Sequence, residues 1–73
     1  MTNKELFSAK IEKQGIPIAE LSRRSGVSRK RIYAIKEGAD ATASEISALS
    51  RALLLSEDEM VDIFLAGNVS KRD

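Results

Sequence analysis

The four residues Ser25-Gly26-Val27-Ser28 separate two segments whose apolar residues recur at helical spacing, and so short a connection makes the two helices meet at a tight corner. On the N-terminal side, Pro17 supplies a fixed backbone angle for a helix start and Leu21 is the main apolar residue. Ile16 is placed to staple against Leu21, and this helix ends near Ser25. On the C-terminal side, Ser28 is well placed to cap a helix running to about Glu37, which Gly38 terminates. The corner unit therefore covers about residues 17–37.

The rest of the chain follows the same period. A first helix is expected from about Asn3 to Gln14, with Leu6, Phe7 and Ile11 on one side, Thr2 and Glu5 as a capping box, and Gly15 as its stop. A fourth opens at Thr42 with Glu45 three residues on, buries Ile46, Leu49 and Leu53, and ends around Leu54. A fifth opens with Ser56 and Glu59 in the same pattern, Glu57 and Asp58 favour its positive end, and Met60, Val61, Ile63, Phe64 and Leu65 follow. Residues 67–73 read as a frayed tail. No stretch alternates as a half-buried strand would, and no repeat or second-domain boundary interrupts the 73 residues. The expectation is one all-α domain over residues 1–73, a compact five-helix bundle.

A chain this short buries only about 60% of its unfolded surface, and without cysteine neither disulfides nor thiolate metal sites can stiffen it. Histidine is absent too, which removes the usual acid-base residue near neutral pH and leaves zinc only carboxylates. An enzyme is therefore not expected, nor a catalytic residue, a metal site, a cofactor or a small-molecule ligand. No apolar run approaches the roughly 20 residues of a membrane span, and MTNKELFSAK lacks the hydrophobic stretch of a signal peptide, so the expected location is cytoplasmic. In that setting Asn68, Val69 and Ser70 match the glycosylation acceptor pattern by chance.

The net charge of +1 hides an asymmetry. Residues 4–36 carry nine cations against three anions, whereas residues 37–70 carry seven anions against Arg51 alone. Such a division suggests a polyanion docking at one end of the molecule. The cations concentrate in the third helix, where Ile32 and Ile35 share one face and Arg29, Tyr33, Lys36 and Glu37 lie opposite, with Lys30 and Ala34 beside them. A stripe of cations, a donor-bearing aromatic and a small residue suits the major groove of DNA. Arg29, Lys30 and Arg31 oppose the helix dipole by a few tenths of a kcal/mol each, less than contact with phosphates or guanine edges returns. By contrast, Arg23 and Arg24 read as solubility or ion-pair residues.

AELSRRSGVSRKRIYAIKEG (19–38), TASEISALSRAL (42–53) and LSEDEM (55–60) carry a resemblance, across about residues 4–66, to the Cro and repressor type of helix-turn-helix protein, also called the xenobiotic-response-element family. The resemblance implies that Gly26 is the turn glycine, Val27 the turn hydrophobe, and Ile32 and Ile35 the buried positions of the recognition helix. It also implies that Ser28, Arg29, Lys30, Tyr33 and Ala34 face bases or nearby phosphates, while Arg31, Lys36 and Arg24 sit nearer the DNA backbone. Four departures stand out. Pro17 and Ile18 replace a cap and a phosphate-anchoring glutamine; Ser22 replaces the usual small alanine and brings a hydroxyl that must bond locally. Gly38, Ala39, Asp40 and Ala41 replace backbone-binding cations and leave only main-chain N–H groups to grip phosphate, and Leu54 stands where a helix-ending glycine is common, suggesting a tighter or more buried link.

The expected function is a sequence-specific DNA-binding transcriptional regulator, repressor or Cro-like and phage-like in origin, with residues 28–37 in the major groove. A homodimer is expected through Met60, Val61, Ile63, Phe64 and Leu65, because Ile63 lies about 100° from Phe64 and off the face of Met60, more than one small core can cover. The missing anchor at Ile18 motivates a second reading, a protein-interaction module on the same fold, of antirepressor or antitoxin-like kind.

Overall fold

The computed structural model describes residues 1–65, so the expected tail at 67–73 and the Asn68-Val69-Ser70 motif lie outside the described residues. Five helices follow in order: α1 (Lys4–Gln14), α2 (Ile18–Ser25), α3 (Arg29–Lys36), α4 (Ala43–Ala52) and α5 (Glu57–Met60), the last running on into a π-helical turn, Val61–Leu65. No strand occurs among the described residues, and the all-α expectation holds. Helix α2 packs on both α3 and α4, while α1 packs on α3 and on the π-helical turn. The core is Phe7, Ile11, Leu21, Val27, Ile32, Ile35, Leu49, Leu53, Ile63 and Phe64. Burial of each such large side chain contributes about 1.5–3 kcal/mol.

Polar side chains at the helix starts set most boundaries. Ser28 accepts from the Arg31 N–H, and Thr42 with Glu45 and Ser56 with Glu59 form complete capping boxes. Helix α1 departs from expectation. Its cap is Asn3, whose side chain accepts from the Leu6 N–H, because Thr2 is buried and its hydroxyl donates instead to the Ala39 carbonyl at 2.8 Å. Leu6 is exposed rather than packed beside Phe7 and Ile11, since those two residues, four apart, already define the inward stripe. Ile46 is half-buried, whereas Leu49 and Leu53 are fully enclosed. The Gln14 side-chain amide donates to the Leu53 carbonyl, joining the end of α1 to the end of α4.

At the C-terminal end, Ile63 and Phe64 are both buried in the molecule's own core, contrary to their expected place on a dimer face. In the π-helical turn each residue advances less than the 100° of an α-helix, so neighbours in sequence lie closer to one face. The chain's start closes over them: the Asn3 N–H donates to the Ile63 carbonyl at 2.7 Å, and Phe7 meets Phe64 edge-on with ring centroids 5.7 Å apart. Met60, Val61 and Leu65 remain half-buried.

Two backbone positions have opposite residue choices. Gly26 has φ +78 with nothing within 4 Å of where a Cβ would stand, so glycine is needed there for conformation and not for space. Leu54 has φ +55 and is 82% exposed, the reverse of a buried link: it adopts the left-handed turn that glycine would take, with little burial of its side chain to compensate. A left-handed backbone costs a side-chain-bearing residue about 1–2 kcal/mol. Leu54→Gly is accordingly expected to stabilise the fold by about 0.5–1 kcal/mol net of glycine's greater unfolded freedom, and Gly26→Ala to destabilise it by about 1 kcal/mol. Urea denaturation of both variants checks the opposite signs.

Candidate nucleic-acid interface

The corner between α2 and α3 is built from its own small residues. The Gly26 N–H donates to the Ser22 carbonyl at 2.8 Å, the Ser22 hydroxyl donates to the Val27 carbonyl at 2.7 Å, and the Val27 N–H donates to the Ser25 hydroxyl at 3.1 Å. The Ser22 hydroxyl thus finds its partner in the turn itself. Val27 is driven into the core, and the chain leaves the corner already pointed into α3.

Burial of Ile32 and Ile35, both 0% exposed, then fixes the rotation of α3. Ser28, Arg29 and Lys30 are exposed at its head, Tyr33 is 54% exposed one turn on, and Ala34 and Lys36 are half-buried at the edge of the same surface. Neither Arg29, Lys30 nor Lys36 has an ion-pair partner among the described residues. A helix side that presents to solvent a phenol and two cations without an ion-pair partner among the described residues can offer donors to anionic oxygens or base edges.

Arg24 and Arg31 are differently placed. Arg24 and Arg23 both bind Glu20 on α2, the Nε of Arg24 lying 2.7 Å from its carboxylate, and the two arginines, Arg23 foremost, draw the Glu20 carboxyl below its usual range. Arg31 reaches across to α4. Its Nε and Nη2 each donate to a separate oxygen of Glu45 at 2.8 Å, and Nη2 also donates to the Asp40 carbonyl at 3.0 Å. The Arg31 guanidinium, with the Thr42 N–H, holds the Glu45 carboxyl at about 2. Sequence reasoning missed this pair, since a 14-residue separation carries no helical signature. The connection between α3 and α4 is also less open than expected: the Gly38 and Ala39 N–H groups donate back to the Ile35 and Ala34 carbonyls, which leaves only those of Asp40 and Ala41 for the phosphate grip envisaged there.

Ile18, where a phosphate-anchoring residue is common in the resembling family, is half-buried against the core. On the far side of the molecule Lys10 and Glu59 pair at 2.6 Å, joining α1 to α5 and drawing the Glu59 carboxyl down. The depressed Glu45 value makes a stability prediction. A carboxyl held below its unfolded value of about 4.5 contributes stability that is complete above that pH and is lost as the pH falls toward about 2. Glu45→Gln, which keeps the capping pattern, should flatten the fall in stability across that window when urea denaturation is followed at successive pH values.

Comparison with known proteins gives one finding. A helix-turn-helix family profile matches residues 8–60, well over half of the chain and including the whole α2–corner–α3 unit. No curated protein and no solved structure gives a match. With that match lying over the same corner and the same outward third helix, the chain belongs to the Cro and repressor type of helix-turn-helix family, a family of DNA-binding transcription regulators.

Proposed function

We propose that the chain is a sequence-specific transcriptional regulator, a repressor or Cro-like protein, that lays α3 in the major groove. The observation that carries this reading is the outward exposure of Arg29 and Lys30, neither paired with an anion among the described residues, beside exposed Tyr33 on the side of α3 opposite buried Ile32 and Ile35. Arg29 and Lys30 read base edges, Tyr33 and Ala34 adjust fit, Ser28 caps the helix at the groove edge, and Lys36 holds phosphate. Arg24 lies at the flank, its charge shared with Glu20.

The protein acts as a dimer on operator half-sites about one helical turn apart. With Ile63 and Phe64 committed to the core, the support for dimerisation lies in half-buried Met60 and Leu65, which border an apolar hollow together with Ala43, Ile46 and Ser50. The Ser50 hydroxyl is buried there with no hydrogen-bond partner among the described residues.

The inward packing of Ile18, which leaves α2 without an anchoring side chain at its start, favours the second reading, a protein-interaction module of antirepressor or antitoxin-like kind. Duplex titration at several salt concentrations separates the two, because each phosphate contact contributes about −0.9 to the log-log slope and an interaction module gives almost none. On an operator selected from a random pool, Arg29→Ala is expected to weaken binding by about 1–3 kcal/mol and relax one base position, whereas Lys36→Ala weakens all sequences alike and lowers the slope by about 1. Sedimentation should give a dimer, and Met60→Glu a monomer.

A further inference from the structure

We propose that Glu45 withholds Arg31 from DNA, so that of the three consecutive cations at the head of α3 only Arg29 and Lys30 are available to a duplex. The inference rests on the DNA-binding reading above and assigns Glu45, which does not touch DNA, a role in specificity. Three of the five N–H donors of Arg31 are engaged: two in a parallel fork on the Glu45 carboxylate and one on the Asp40 carbonyl. Glu45 cannot follow if Arg31 swings away. Its side chain is only 15% exposed, and its Oε1 also accepts from the Thr42 N–H at 2.9 Å as part of the cap of α4.

Moving the guanidinium to a phosphate would therefore exchange one fork for another while leaving a carboxylate unneutralised beside a polyanion. The exchange gains little, whereas Arg29 and Lys30 give up no ion-pair partner among the described residues on binding. The consequence is selective. Phosphate attraction is the same for every sequence, so a cation neutralised in place removes one counterion-release contribution from non-specific binding and leaves the base-reading cations untouched.

The test compares three chains, the natural one, Glu45→Gln and the charge-balanced double variant Arg31→Met with Glu45→Gln, on a duplex of random sequence across a salt series. Glutamine keeps the capping pattern of α4, and circular dichroism with thermal melting verifies that each chain is folded. Releasing Arg31 in Glu45→Gln should steepen the slope of log K against log salt by about 0.9, and the double variant should return it to the natural value. An unchanged slope in Glu45→Gln overturns the proposal. So does a double variant shallower than the natural chain by about 0.9, since Arg31 would then already lie on phosphate. A natural chain with no slope overturns the DNA-binding reading itself and this inference with it, an outcome distinct from the other two.

Discussion

The inward packing of Ile32 and Ile35 is the constraint on which the rest of the arrangement depends. A helix only eight residues long has little intrinsic stability in water, so α3 owes both its existence and its rotation to what it buries. With those two side chains enclosed by α1 and α2, the opposite side must face solvent, and everything on it follows from sequence spacing. The corner contributes direction. Gly26 reverses the chain, Val27 anchors the turn in the core, and Ser22 closes it with a hydroxyl, so α3 leaves at an angle set by small residues and not by a long loop.

Charge on that outward side is arranged less simply than a basic run suggests. The run Arg29-Lys30-Arg31 places three cations where the helix dipole resists them, but the third is folded back onto α4. Glu45 thus serves two local ends at once, completing the cap of its own helix and pairing with its neighbour. The acidic residues of the C-terminal half are likewise partly engaged in structure. Glu59 caps α5 and pairs with Lys10, and Glu45 pairs with Arg31, so part of the sequence-level division into a basic and an acidic half is a set of cross-helix ion pairs.

Much of this was legible in the residues because the signals were local. Glycines at helix ends, the serine and threonine caps, and the i, i+3 pair of isoleucines each depend on neighbours within a turn or two, and they gave the helices, the corner and the exposed side of α3. What escaped depended on distant parts of the chain. Thr2 looked like a cap until Ala39 offered its carbonyl 37 residues away, and Asn3 took the cap instead. Ile63 and Phe64 could not both face one core under an α-helical period, but a π-helical turn and the edge-on ring of Phe7 bring both inside. Leu54 marks the opposite limit: the backbone kept the left-handed turn that a glycine would make, so residue type there misled about burial while chain geometry was unaltered.

Contact between the outward side of α3 and nucleotides is open to observation residue by residue. Titrating isotope-labelled protein with a selected duplex and following backbone amide resonances tests it most directly. Shifts are expected to concentrate in residues 28–37 and the start of α4, with α1 and α5 quiet apart from any dimer contact. Shifts confined to the Met60 and Leu65 hollow, or an unchanged spectrum at saturating duplex, would contradict it.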